Sequence, residues 1–471
     1  MPGFHVENFG CRAARADGEA VSDRLRLSGL DEGPSSEADL VIVNTCSVTA
    51  EADRAARAFV RRTHRLNPAA RIVVTGCYAQ RAPEELAGLA GVAAVVGNSH
   101  KALAPEIALG LVRDGSRNTS AVIRDLVTLD SIRVGGSAIW ADDRFAHSFL
   151  EETQIVPGAQ TRPNLKIQEG CGNRCTFCVI PQTRGPSRSL SMASILRQVE
   201  GFVSAGGNEL VLSGINLGRW GRDLPTADDG SAGGDSRLTL AGLVRQILER
   251  TRLPRVRLSS IEPMDWSGEL ILLMSEFGGT RLARHAHLPL QSGSDAVLRR
   301  MHRRYRPWHY AEKVETLARA AGSELTLGAD VMVGFPGETD AEFEETMEFV
   351  RALPFGYLHL FPFSPRPGTR GWTLHAEAPV PSTVVDERMA ALRALASSKT
   401  SEHRKRFVGR QLEAITLHTP ADLSDRGRTS TLTGNFLPLE VEGRLPANVL
   451  TRVKVTAVNG EGTLEGTRWD L

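Results

Sequence analysis

The sequence predicts an α/β protein in three parts: an N-terminal parallel α/β domain, a central partial (β/α)6 barrel and a small C-terminal all-β barrel. Three observations carry this. Short apolar runs alternate with helical patterns within residues 1–115 and again across 162–398. From 401 to 471 the texture changes to short β-type runs punctuated by glycine and asparagine. Between the first two parts, residues 116–161 carry turn punctuation (NTS, GGS, ADD) and read as a linker with limited regular structure.

The totals agree. A chain of 471 residues, 41% hydrophobic and 24% charged, has material for several cores. Its formal net charge is only +1, so any basic surface is local. MPGFHVENFGC lacks a basic start followed by an apolar stretch, and no apolar segment reaches the ~20 residues a bilayer span needs. A cytoplasmic protein follows as the expectation, with no membrane partner. There, clustered cysteines read as metal ligands rather than disulfides.

In the first part, the runs FHVENFG, LVIVNT and RIVVTG each stop at a cysteine: Cys11, Cys46 and Cys77. Helical patterns at 18–27 and 52–66 separate them, the second stopped by Asn67-Pro68. Such an alternation makes a parallel sheet, and ligands gather outside the carboxyl ends of its strands. The three cysteines, 35 and 31 residues apart, are therefore expected to converge on a cluster. The alternative is that each is a small buried hydrophobe at a strand end.

In the central part, strands are expected at 164–168, 209–213, 255–259, 285–290, 326–333 and 357–361. Helices fall between them, for example at 192–203, 240–250, 310–320 and 341–352. ADDGSAGGD, at 227–235, reads as a flexible surface insertion. Six βα units make a partial barrel whose functional face is the carboxyl-end face. Directly after the first strand comes EGCGNRCTFCVIP, with Cys171, Cys175 and Cys178 inside eight residues. Thiolates so close suit an iron–sulfur cluster. Zinc would need a fourth ligand, and no histidine lies at finger spacing. Three ligands on a four-iron cluster leave one iron open to a substrate or cofactor.

CGNRCTFCVIPQTRG resembles the signature of radical S-adenosylmethionine (radical SAM) enzymes. The resemblance narrows with VNTCSVTAEA, VTGCYAQ, HLPLQSGSD, GADVMVGFPGET and FPFSPRPGT, in that order, to the methylthiotransferases. GINLGRWGRDL with FPFSPRPGT is most similar to the branch acting on threonylcarbamoyl-adenosine of tRNA. The C-terminal module resembles a TRAM domain, an RNA-binding barrel. The resemblance implies two [4Fe-4S] clusters, one on Cys11, Cys46 and Cys77, the other on the catalytic Cys171, Cys175 and Cys178. It implies S-adenosyl-L-methionine as methyl donor and radical source, and an electron donor such as flavodoxin or ferredoxin. The product would be the 2-methylthio derivative of N6-threonylcarbamoyladenosine at tRNA position 37. The same chemistry on isopentenyl-adenosine or on an aspartate of a ribosomal protein, and a non-catalytic iron–sulfur RNA-binding regulator, are the rivals. One departure stands out: this branch usually has Asn three residues after the first cysteine, where this chain has Ala14.

Gly207 and Glu209 resemble the stretch near the methionine amino group, although a plain turn into the strand accounts for them equally. Gln291 and Ser292 end the fourth strand and are expected at the cofactor, with loop capping as the alternative. Asp330 lies inside an apolar strand, where a carboxylate needs a partner; a polar contact to the cofactor is the expectation, with a buried salt bridge as the alternative. Gly334, with Pro336 and Gly337, reads as an adenine-side loop. For RNA phosphate, Arg57 and Arg61 belong to a stretch from 54 to 71 with six arginines and no acid. Arg303 sits in RRMHRRYR, before Trp308. Arg184 and Arg188 follow the cysteine triad, placed for cofactor or RNA. The C-terminal module is balanced, with 10 Lys/Arg against 9 Asp/Glu, so its RNA role rests on resemblance.

Overall fold

The computed structural model describes residues 2–113, 132–134, 137–148, 161–225 and 238–469. The chain divides into two compact units: Met1–Gln154 with Glu169–Arg188 and Ser364–Trp372, and the remainder. The expected insertion at 227–235 lies outside the described residues.

The first unit is built on a seven-stranded sheet in the order β2-β1-β3-β4-β5-β7-β6. Its strands are β1 (Gly3–Asn8), β2 (Asp31–Glu32), β3 (Leu40–Thr45), β4 (Arg71–Gly76), β5 (Val92–Gly97), β6 (Ile132–Val134) and β7 (Ser137–Trp140). β1, β3, β4 and β5 are parallel neighbours, as the alternating pattern requires. β3 is buried along its whole length because both faces are covered. Leu40 and Ile42 pack with Val21 and Leu25 of the helix Arg12–Leu27, while Val41 and Val43 pack with Phe59 and Val60 of Ala50–Leu66. Each such side chain stabilises the unit by about 1.5–3 kcal/mol. The helix Ala50–Leu66 starts where Thr49 accepts from the Ala52 N–H, with Glu51 and Asp53 in its first turn. Within the expected linker 116–161, residues 132–134 and 137–140 depart from the expectation of little regular structure: β7 pairs parallel with β5 and β6 antiparallel with β7, so these two strands extend the sheet. Three- and four-residue strands fall below the length at which periodicity shows.

The second unit contains the six expected barrel strands: β8 (Asn164–Glu169, its last residue in the first unit), β10 (Glu209–Gly214), β11 (Arg255–Leu258), β12 (His285–His287), β13 (Thr326–Val333) and β14 (Phe355–Pro362). The two-residue β9 (Arg188–Ser189) lies between β8 and β10 in the chain. β8, β10 and β11 are parallel neighbours, as are β12, β13 and β14; the parallel bridge Val256–Leu282 joins the two sets. The helices Met192–Ser204, Leu240–Arg250, Pro307–Ala321 and Asp340–Ala352 lie where the pattern puts them. Beyond the helix Ser382–Lys405, five strands close a barrel in the order β15-β16-β17-β19-β18: Gln411–Thr416, Arg428–Thr433, Pro438–Glu442, Leu464–Arg468 and Leu450–Val458. Phe407, Leu412, Leu439, Val441, Val453 and Leu464 fill it. From its β16–β17 turn, Phe436 at φ +68° lies 4.4 Å from the His285 ring and 5.4 Å from Tyr357. The Arg257 guanidinium sits 5.3 Å over its face. The small barrel thus packs an aromatic side chain against the amino-terminal end of the βα barrel.

Candidate iron–sulfur centres and barrel interior

In the first unit, Cys11, Cys46 and Cys77 follow three neighbouring strands, β1, β3 and β4. Two glycines let their loops meet. Gly10 has φ +114°, and a Cβ there would lie 2.4 Å from Cys46 Cβ and 2.8 Å from its Sγ. Gly76 has φ +99°, and a Cβ there would lie 2.3 Å from the Thr45 carbonyl oxygen. Burial, and then the neighbouring Cys77 and Cys11 sulfurs, push the Cys46 thiol up to about 12. Three thiolates share this cradle only with a cation that offsets their charge, as the iron of a cluster does. The residues fit the group.

Around the cradle lies a polar shell invisible to local sequence reading. Asn98, directly after β5, donates from Nδ2 to Cys77 Sγ at 3.3 Å and to the Thr183 carbonyl at 2.8 Å. Arg184 Nε donates to Cys77 Sγ at 3.2 Å. Its Nη1 pairs with Glu169 at 2.6 Å and Asp17 at 3.2 Å, and Lys101 Nζ reaches Asp17 at 2.5 Å and Glu169 at 3.6 Å. All four charged residues are buried. Beside Cys46, Ser47 and Asp53 accept from both Arg81 and Arg366. At the departure from the family pattern, Asn44 Nδ2 reaches the Asn8 Oδ1 and the Ala14 carbonyl, so a polar bridge survives without an Asn side chain at 14. The pattern Gly97-Asn98, repeating a strand end that closes on a small residue, was the available signal for Asn98.

The triad Cys171, Cys175 and Cys178 lies on the loop leaving β8, half-exposed. The loop is pinned through Gly170, at φ +69°, where a Cβ would lie 2.0 Å from the Pro186 carbonyl oxygen. Cys171 N donates to Gly185 O at 3.1 Å, and Gly371 N to Thr176 O at 2.7 Å. One donor set held by backbone and open to its surroundings suits a cluster that must bind a further ligand.

In the second unit, Gln291 and Gly334 lie at the carboxyl ends of β12 and β13. Gln291 has φ +67°, bridges Val331, and holds a buried Oε1 with no hydrogen-bond partner, an acceptor fit for a ligand donor. Gly334, at φ +75°, donates its N–H to Glu338, itself paired with Arg388. Ser292 instead caps a loop: its hydroxyl meets Thr346 and the Ser294 N–H. Asp330 is held by His287 Nε2 at 3.1 Å and His359 Nδ1 at 3.2 Å, the internal pairing that stood as the alternative to a cofactor contact. Burial raises its pKa, but the hydrogen bonds from the two histidines outweigh it and hold the carboxyl well below the ordinary range. Tyr357 links His287 to His285 at 3.0 and 2.8 Å, so the chain of polar groups continues to Phe436.

Gly207 and Glu209 are corrected as well. They precede or begin β10, at the strand ends opposite the functional face. Glu209 is fully buried between Arg257 at 2.8 Å and Arg255 at 3.2 Å, and a Cβ on Gly207 would strike the Phe202 ring. Four of five RNA candidates have partners within the chain. Arg57 pairs with Glu85 and Tyr78. Arg188 donates to the Phe145 and Arg184 carbonyls. Arg303 is buried against Glu262 and Tyr305, and Arg184 serves the cysteine cradle. Arg61 stays exposed, with Arg54 and Arg65, on the outer face of Ala50–Leu66. Arg304 and Trp308 are exposed in the second unit.

The profile of "Uncharacterized protein family UPF0004" matches residues 3–97, and that of the radical SAM superfamily matches 165–350. The chain is 32% identical to the threonylcarbamoyladenosine tRNA methylthiotransferase MtaB of Bacillus subtilis, over 93% of this chain and 90% of the relative. It is 31% identical to MtaB of Aquifex aeolicus, over 95% and 99%. A tRNA-2-methylthio-N(6)-dimethylallyladenosine synthase of Erythrobacter litoralis is 33% identical, over 88% and 86%. Among solved structures, the radical SAM methyltransferase TsrM of Kitasatospora setae, with cobalamin and a [4Fe-4S] cluster bound, aligns with TM-score 0.53 and 14% identity, over 80% of this chain and 75% of that one. No helix among the described residues is long and apolar enough to cross a membrane. With two three-cysteine sets, the βα barrel and relatives matched along nearly its whole length, the chain belongs to the radical SAM methylthiotransferases.

Proposed function

We propose that this protein adds a methylthio group to the adenine ring of threonylcarbamoyladenosine at position 37 of tRNA, in the cytoplasm, with a flavodoxin- or ferredoxin-type electron donor. The observation that carries the reading is the pair of cysteine sets in one compact unit, each with three ligands and no fourth cysteine in the chain to close either. When bound, the clusters and S-adenosylmethionine supply the radical, the methyl group and the sulfur. The protein's residues do the rest. Cys171, Cys175 and Cys178 hold one cluster with a side open, and the Gly170 turn fixes their loop. Cys11, Cys46 and Cys77 hold the other, with Asn98 and Arg184 against Cys77. Gln291 Oε1 and the Gly334 turn offer contacts at the carboxyl ends of the barrel strands for S-adenosylmethionine. Arg54, Arg61 and Arg65 offer phosphate contacts on one exposed helix face.

The threonylcarbamoyl substrate is favoured over dimethylallyl-adenosine by the activity of several relatives matched over most of their length and by the segments resembling that branch. Mass spectrometry of tRNA nucleosides from a strain lacking the protein tests this. Loss of 2-methylthio-threonylcarbamoyladenosine, restored by the gene, supports it. Loss of the dimethylallyl form instead transfers the enzyme to the other branch.

A further inference from the structure

The charged residues around Cys77 exceed what holding a thiolate requires. Arg184 is fully buried, and its pairing with Asp17 and Glu169 leaves Nε aimed at one sulfur. Lys101, on the same two carboxylates, balances them so that Arg184 is not drawn wholly to either. Asn98 approaches the same sulfur as a neutral donor, anchored by the Thr183 carbonyl next to Arg184. Arg184 lies six residues beyond Cys178, so the segment bearing one cysteine set supplies a hydrogen bond to a ligand of the other.

We infer that Arg184 and Asn98 are positioning residues that set the reduction potential of the cluster on Cys11, Cys46 and Cys77, by donating hydrogen bonds to Cys77 Sγ. This rests on the cluster assignment proposed above. An electron delivered by a one-electron reductant adds one negative charge to the cluster and its thiolates, with no bond made or broken in the protein. Hydrogen bonds to the sulfur stabilise that charge, and donors to the ligand sulfurs are a recognised lever on such centres. Because the donor Arg184 is tethered to the Cys171–Cys178 loop, a shift of that loop would be felt at Cys77.

The test uses the full chain with Cys171, Cys175 and Cys178 replaced by alanine, leaving one cluster to observe. Its potential is read by dithionite titration with electron paramagnetic resonance. Two changes are made separately in this background. Arg184→Lys keeps the buried charge and loses the directed Nε donor; Asn98→Ala loses a neutral donor and leaves the charges paired. Each is expected to shift the potential to more negative values, with iron content and circular dichroism unchanged. Unshifted potentials in both, with full iron, would overturn the inference alone. Absence of iron in the parent triple variant would overturn it together with the cluster assignment, whatever the tRNA nucleosides show.

Discussion

The two cysteine sets reach the same ligand count by opposite routes. Cys171, Cys175 and Cys178 are brought together by eight residues of one loop, so spacing alone shows them. Cys11, Cys46 and Cys77 are brought together by a sheet, and only the strand order β1-β3-β4 makes them neighbours. The loop set depends on local backbone, above all the turn at Gly170. The sheet set depends on close approach between loops, at Gly10 and Gly76, and on a shell of buried ion pairs drawn from distant segments. Proximity in sequence costs little to maintain; proximity by topology needs many supports.

Removing ligands should separate the two sets most sharply. Cys171→Ala is expected to abolish both S-adenosylmethionine cleavage and methylthio product. Cys46→Ala should abolish product while leaving cleavage, measured as deoxyadenosine, near the parent value. Full methylthio product from the Cys46→Ala protein would end the distinction.

Glycine substitutions come next. Gly76→Ala forces a side chain into a left-handed backbone against the Thr45 carbonyl, a strain of ~1–3 kcal/mol before any clash. Iron per chain should drop by about half, with cleavage retained. Gly170→Ala should lose the other half and cleavage with it. If Gly76→Ala bound a full iron complement, the close approach of the loops would not be a requirement.

Arg366→Ala tests the distant supports. It leaves Asp53 with Arg81 alone, and losing a buried ion-pair partner costs on the order of 3 kcal/mol. Thermal unfolding should shift down, with iron lost first from the sheet set. An unchanged unfolding temperature would show that Arg81 suffices.

The smallest effect gives a baseline away from both sets. Burial, then Arg406 and Arg404, push the His403 imidazole down from an ordinary 6.5 to about 4. Its folded pKa lies below its unfolded one, so the stability it contributes is present above pH 6.5 and is lost as pH falls towards 4. Between pH 7.5 and 5.5 the loss should be ~1 kcal/mol. His403→Gln, measured by urea unfolding at both pH values, should flatten that part of the slope.

The sequence made some parts of this molecule plain and hid others for physical reasons. Apolar runs bounded by turn residues placed all six barrel strands, although β11 and β12 pair over only four and three residues, and helical periodicity placed the main helices. The cysteines were legible by spacing or by strand-end context. Glu209 was misread because its partners, Arg255 and Arg257, sit on the next strand, where no local pattern announces them. Gly207 failed for a different reason: it serves the turn out of the preceding helix, packed against that helix's Phe202 ring at the amino-terminal end of the barrel. Arg303 looked like exposed charge because a run of arginines does not show which member has an acid waiting, and nothing beside Arg184 in the chain announces its partners. Those acids, Glu262 for Arg303 and the buried Asp17 and Glu169 for Arg184, are scattered through the chain.

Phe436 bears on how this protein can be taken apart. A ring seated among His285, Tyr357 and Arg257 makes the last seventy or so residues a stopper rather than a passenger. Cutting the chain after the helix Ser382–Lys405 would leave two aromatic faces and a guanidinium without their cover. Grafting a different module onto this barrel would succeed only if the newcomer brought its own cork.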